Sequence, residues 1–187
     1  MKKIIIGLVG EIASGKDVAK KYLEENYGAS CHKFSAILRE ILNRLYIPIT
    51  RENMQKISTA LRQVFGEDLL AKIITADVEN DNHEIIVIDG IRRQEDILYL
   101  KSLPNFYLVS VKAEAKTRYE RLTKRQENTD DGTKTYEQFL ADGQKETELK
   151  IPEVMALADY ELDNNGDLKN LYRQIEEIII KLEELKN

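Results

Sequence analysis

The chain has 187 residues, 42% of them hydrophobic, which suits one domain with a core of its own. Lys and Arg number 28 against 33 Asp and Glu, and the net charge of −5 argues against a general nucleic-acid binder. No apolar run approaches membrane-spanning length, and Cys31, the only cysteine, excludes a disulfide framework and fits a reducing cytoplasm.

Met1-Lys2-Lys3 is followed by only six apolar or glycine residues, Ile4 to Val9, too few for a signal-peptide core. The run reads instead as a first strand buried on both faces. It leads straight into Gly10-Glu11-Ile12-Ala13-Ser14-Gly15-Lys16-Asp17. The spacing G-x-x-x-x-G-K between strand and helix is that of a phosphate-binding P-loop. Gly10 and Gly15 let the backbone wrap tightly. The amides from Gly10 through Ala13, Ser14 and Gly15 form an anion nest, and the helix start adds its dipole. Lys16 places a point charge on the outer phosphates of ATP. Asp17 stands where a hydroxyl residue is usual. Its carboxylate either serves as a hard-oxygen ligand for Mg²⁺ or merely favours the helix start by about 0.3–1 kcal/mol.

A helix over 18–27 stops at Gly28, and 29–34 is a short second strand. Ile37, Leu38, Ile41 and Leu42 then give helical spacing with Ser35 as N-cap. Thr50 caps another helix whose apolar stripe is Met54, Ile57, Leu61 and Val64, and Gly66 ends it. A further helix spans 68–78. This strand-free region, 35–80, is the expected acceptor-binding insertion. Cys31 reads as buried and inert, and His32 and His83 lack companions at zinc-ligand spacing.

Glu84 to Gly90 is a second buried strand ending in Asp89. That carboxylate either sits at the sheet edge near a metal or substrate or caps the next segment. Arg92 and Arg93 follow at the edge where open α/β sheets bind ligands. Ile97, Leu98, Leu100 and Leu103 suggest a helix before Pro104. Phe106 to Val111 is a third strand, and 113–126 a helix. Its Arg118, Arg121 and Arg125 share one face, either a solvated basic face paired with Glu114 and Glu120 or a row of phosphate donors. Nine of the ten arginines lie between positions 39 and 125. Residues 136–149 are expected to be helical with Pro152 as the break, and 126–150 as a whole to form a lid. Ala158 to Asp163 alternates as a short strand does. Leu171, Ile175, Ile178, Ile179, Leu182 and Leu185 mark one face of a final helix.

Alternating strands and helices predict an α/β, P-loop NTPase three-layer sandwich, with a parallel five-stranded sheet, two strands of it short, in a single domain over 1–187. The chain resembles the P-loop nucleoside monophosphate kinase group almost throughout. Phe34 to Arg39 is similar to the adenylate kinase segment whose arginine holds the acceptor phosphate, which implies that role for Arg39. Asp89-Gly90-Ile91-Arg92 is similar to the Asp-Gly-x-x-Arg element of the same enzymes, which implies phosphate contacts for Arg92 or Arg93. Arg121 and Arg125 match the arginine pair before the lid. Ala158 to Asn164 resembles the last strand and turn of dephospho-coenzyme A kinases. Gly15-Lys16-Asp17 is similar to the loop of phage-type deoxynucleoside monophosphate kinases and animal-type phosphomevalonate kinases. Adenylate kinase itself is not a clean match, because its lid glycine and paired aspartates are missing.

The resemblance implies ATP and Mg²⁺ as cofactors and a small phosphorylated acceptor, with no nucleic-acid polymer or membrane as partner, as monomer or dimer. Lys16, Asp89, Arg121 and Arg125 are then the catalytic candidates, and Asp17 and Asp89 the metal ligands. Arg39, Arg62, Arg92 and Arg93 are the acceptor-side candidates, although Arg62 also reads as an ordinary surface charge. Dephospho-coenzyme A or another small metabolite is the alternative acceptor. A nucleotide-binding protein without catalysis is the alternative of another class.

Overall fold

The computed structural model describes residues 3–125, 132 and 134–186; the side chains of Arg125, Glu146, Thr147 and Lys186 lie outside the described set. Five strands form one parallel sheet: β1 (Ile4–Val9), β2 (Ser30–Lys33), β3 (Ile85–Asp89), β4 (Phe106–Lys112) and β5 (Tyr160–Asp163). Their order is β2-β3-β1-β4-β5. The middle strand is therefore the first in sequence, and its loop emerges at the centre of the sheet edge.

Side-chain alternation along β1 divides the core. Ile4, Ile6 and Leu8 pack with Ala19 and Leu23 of α1 (Lys16–Tyr27) and with Leu171, Ile175 and Ile179 of α9 (Leu168–Lys186). Ile5 and Val9 face Phe34 and Leu38 of α2 (Phe34–Arg44) and Leu70 and Ile74 of α4 (Leu69–Asn80) on the other side. Both faces of the sheet are thus covered, which is why its strands read as unbroken apolar runs.

The helices depart from the sequence pattern at four places. Ser35 is not a cap: α2 begins at Phe34 directly off β2, because Phe34 is already a core residue. In α3 (Arg51–Phe65), Thr50 does cap, accepting from the Asn53 amide at 3.1 Å, but Val64 is 71% exposed while Arg62 is buried. The apolar stripe ends at Leu61, because an ion pair claims the inward position one turn before the helix stops. Residues 97–103 form no α-helix. Two 3-10 turns, Gln94–Ile97 and Leu100–Ser102, replace it, since the Asp96 carboxylate pins the Arg92 and Arg93 amides at 3.0 and 3.1 Å and keeps the segment tight. Beyond α5 (Ala115–Arg125), the region before β5 is divided into α6 (Tyr136–Gly143), α7 (Glu146–Leu149) and α8 (Ile151–Met155). Pro152 lies in the first turn of α8 and starts a helix rather than ending one, since a first-turn residue needs no amide donor. Positions 126–131 and 133 of the expected lid lie outside the described residues.

Candidate active site

The loop after β1 has a shape that only its own sequence allows. A Cβ on Gly10 would lie 2.6 Å from both Ser14 Oγ and the Val111 carbonyl. Gly15 has φ 106°, and a Cβ there would come within 2.0 Å of Asn164 Nδ2. Ala13 is also left-handed, with φ 59°, a conformation that costs an alanine about 1–2 kcal/mol. Backbone alternating in this way makes a concave row of amides suited to an anion.

Lys16 opens α1 and turns back on the loop, donating to the Gly10 carbonyl at 2.5 Å and the Glu11 carbonyl at 3.1 Å. Burial lowers the proton affinity of its amine. Asp89 opposes that most strongly, Arg92 adds to it, and Asp17 and Glu148 oppose it further. Two segments distant in sequence, one at 89–92 and one at 148, therefore act on one ammonium. Asp89, the last residue of β3, lies 3.6 Å from Lys33 Nζ at the end of β2. Asp17 is largely exposed and lies 3.1 Å from Lys20. Partial desolvation works against its ionisation, yet Lys20, with Lys33 and Lys16, holds the carboxyl below its ordinary range. Cys31 is half-buried, and desolvation beside Asp89 pushes its thiol up to about 11, which makes it a poor nucleophile.

The arginines divide into two sets. Arg92 Nη1 meets Glu148 Oε1 at 2.5 Å, and Arg93 Nη1 meets Glu67 Oε2 at 3.1 Å. Arg39 is exposed on α2, the helix whose first residue, Phe34, neighbours Gly90. Arg121 Nη2 reaches Asn164 Oδ1 at 3.4 Å. The Arg125 side chain lies outside the described residues. Arg62 is different. Its guanidinium is buried, donating to the Glu67 carbonyl at 2.7 Å, to Ser58 Oγ at 3.4 Å and to Asp96 Oδ1 at 3.4 Å. It ties α3 to the turn after β3.

Two structural residues of the site had little voice in the sequence. Arg118 is buried rather than part of a solvated face. It donates to Glu11 Oε1 at 2.9 Å and to the Ile12 carbonyl at 3.4 Å, and stacks over the Phe139 ring at 5.4 Å. It therefore braces the P-loop against α6. Asn164, 3% exposed after β5, donates to the Ser14 carbonyl at 2.8 Å and accepts from Arg121. The polar turn around Asn164 and the resemblance of 158–164 to a kinase strand and turn marked the segment, but neither gave Asn164 a role.

The donor set fits a triphosphate. Among the described residues, Ser14 Oγ and Arg121 Nη1 are buried without a hydrogen-bond partner, on either side of Asn164. No cluster of three or more His, Cys, Asp or Glu suited to a metal occurs among the described residues. Mg²⁺ needs none, since it is commonly held by one or two carboxylates together with phosphate oxygens and water, and Asp17 and Asp89 are carboxylates of the kind that would hold it. No described helix is long and apolar enough to cross a membrane.

A family model described as an AAA domain matches residues 6–148. A UPF0200 protein of Staphylothermus marinus is 30% identical over 184 residues, covering 98% of this chain and 95% of the relative. A UPF0200 protein of Pyrococcus abyssi is 32% identical over 185 residues, covering 96% and 97%. Among solved structures, shikimate kinase from Bacteroides thetaiotaomicron aligns with a TM-score of 0.63 at 15% identity over 96% of this chain and 98% of its own. Shikimate kinase from Acinetobacter baumannii, in complex with shikimate, aligns with a TM-score of 0.55 at 17% identity over 96% and 94%. At such identities the two kinases show a common fold alone. The chain, matched nearly end to end by these relatives and across its P-loop, Asp89 and Arg92 by the family model, belongs to the UPF0200 proteins, an AAA-domain family with a P-loop kinase-like fold.

Proposed function

We propose that the protein is a phosphotransferase that moves the γ-phosphoryl group of ATP to a small phosphorylated acceptor, foremost a nucleoside or deoxynucleoside monophosphate. The observation that supports this most directly is Lys16 turned back on a loop shaped for an anion, with Asp89 and Arg92 near enough to act on its charge. An oxygen of the acceptor phosphate bonds to the γ-phosphorus as the bond to the β,γ-bridging oxygen breaks, leaving ADP and the phosphorylated acceptor. Both reactants are anions, so catalysis consists mainly of positioning and charge neutralisation.

Each residue then has a part. Lys16 exchanges the Gly10 and Glu11 carbonyls for the outer phosphate oxygens. Arg92, Arg93 and Arg39 take the acceptor phosphate, Arg92 being nearest to Lys16 in its electrostatic influence. Arg121, positioned through Asn164, faces the loop and neutralises charge on the migrating group. Arg125, one turn further along α5, is assigned the same duty by its place in sequence. Asp89 orients the acceptor. Mg²⁺ would be held by Asp17 and Asp89 and would supply charge neutralisation for the phosphates. Arg62 is left out of the acceptor set, because its donors already have partners within the fold.

The test is direct. Purified protein with ATP and Mg²⁺ is offered nucleoside and deoxynucleoside monophosphates, dephospho-coenzyme A and phosphomevalonate, and products are resolved by ion-exchange chromatography. At least one monophosphate is expected to gain a phosphate, and Lys16→Ala to abolish the gain. ATP binding without product on any acceptor would leave a nucleotide-binding protein that is not a transferase. Product on dephospho-coenzyme A alone would move the acceptor to the coenzyme A precursor.

A further inference from the structure

Glu11 puts a carboxylate into a loop shaped for an anion. Left to itself, that charge would work against the phosphates the loop receives. The backbone carbonyl of Glu11 lies 3.1 Å from Lys16 Nζ, so the side chain of the same residue is long enough to reach the ammonium. Yet the charges that act most on Lys16 are those of Asp89, Arg92, Asp17 and Glu148, and that of Glu11 is not among them.

The carboxylate is held elsewhere. Arg118 Nη2 donates to Glu11 Oε1 at 2.9 Å, Nη1 to the Ile12 carbonyl at 3.4 Å and Nε to the Ala113 carbonyl at 3.1 Å. The Arg118 side chain is 10% exposed against 39% for Glu11, and its guanidinium lies over the buried Phe139 ring. The fork is therefore fixed by its own helix start, by the P-loop and by α6. A guanidinium fixed in this way loses little freedom when it takes a carboxylate. An ammonium on a flexible stem is the weaker competitor for the same acid.

We propose that Arg118 is a positioning residue for nucleotide binding: it holds the Glu11 carboxylate away from Lys16 and so keeps the loop's own acid from competing with the phosphates of ATP. This rests on the reading of the loop as the ATP site and is independent of the acceptor. Without Arg118, Glu11 is free to take Lys16. Apparent ATP affinity then falls by the fraction of molecules in which the lysine stays open, about tenfold if about one molecule in ten is open.

ATP binding to the full chain, with Mg²⁺ and no acceptor, is measured by isothermal titration calorimetry. Arg118→Met keeps a long stem on Phe139 and is expected to weaken ATP by about tenfold. The same substitution in the Glu11→Gln background is expected to cost less than about threefold, because the amide has no charge to offer Lys16. Glu11→Gln alone is expected to bind ATP at least as tightly as wild type. A guanidinium that only braced the loop would not give this pattern, since losing either partner would then weaken ATP.

Equal losses from Arg118→Met in the two backgrounds overturn the proposal, because Arg118 would then act on ATP directly or through Ile12. Wild-type affinity in Arg118→Met overturns it too. If Arg118→Met does not fold, weaker ATP binding by Glu11→Gln than by wild type overturns it. A coupled cycle with no acceptor phosphorylated keeps this role of Arg118 and removes the transferase. An acceptor phosphorylated with equal losses in the two backgrounds does the reverse, and no ATP binding by wild type removes both.

Discussion

Gly15 and Asn164 form a contact whose energetics can be worked from the structure. In Gly15→Ala the backbone keeps φ 106°, a left-handed conformation costing an L-residue about 1–2 kcal/mol. The new methyl also falls 2.0 Å from Asn164 Nδ2, so the Asn164 side chain must leave. That breaks its 2.8 Å bond to the Ser14 carbonyl, and a buried acceptor left unpaired costs about 1–3 kcal/mol. Gly15→Ala is therefore expected to lower stability by about 2–5 kcal/mol in urea titration. Asn164→Ala alone loses the bond to the Ser14 carbonyl and the longer one from Arg121, about 1–3 kcal/mol. The two losses are not independent, because the alanine at position 15 has already expelled the amide. The double variant should be no less stable than Gly15→Ala by itself, and fluorescent ATP-analogue binding should follow the same order. Strict additivity in this cycle would refute the reasoning, since it would mean that the methyl and the amide do not meet.

Two further outcomes follow from the ion pairs. Arg62→Ala strands the buried Asp96 carboxylate, and because Asp96 keeps two amide donors the loss should be near the low end for a broken buried pair, about 3 kcal/mol. Acceptor KM per folded enzyme should stay constant, whereas a raised KM at full folding would return Arg62 to the acceptor site. Asp81 accepts from Ser30 Oγ at 2.5 Å and the His83 amide at 2.9 Å, and pairs with the rings of His32 and His83. Burial favours its neutral form, yet these hydrogen bonds prevail and hold the carboxyl well below its usual value of 3.8. A depressed carboxyl stabilises the fold fully above the unfolded value and loses that contribution as pH falls through the folded one. Asp81→Asn should cost about 2 kcal/mol at pH 7 and progressively less below about pH 4, checked by urea midpoints across that range. An unchanged difference at acid pH would show that the cluster does not depend on ionised Asp81.

The linear chain was most legible where one local rule acted alone. β1, β3 and β4 announced themselves as apolar runs because both sheet faces are covered. Gly28 and Gly66 ended their helices as positive-φ residues do, and Thr50 capped as its hydroxyl allows. Legibility failed where a distant partner overruled the pattern. Val64 lost the inward position because Arg62 had a carboxylate waiting on another segment, and 94–102 tightened into 3-10 turns because Asp96 closed on two amides. The arginine row on α5 had a readable spacing, but its spacing said nothing of Glu11, Phe139 or Asn164, which give Arg118 and Arg121 their separate positions.

The amino-acid order by itself determined the strand-loop-helix unit around Gly10 and Lys16, because each of its constraints acts within a few residues: a missing Cβ, a helix start, a run of apolar side chains. Tertiary structure alone decided which charges share a site. The order β2-β3-β1-β4-β5 brings Asp89 to the neighbour of β1, and folding returns Asn164 to Gly15 and Glu148 to Arg92 across 149 and 56 positions of chain. Such pairings depend on distance in space, to which no spacing along the chain is bound.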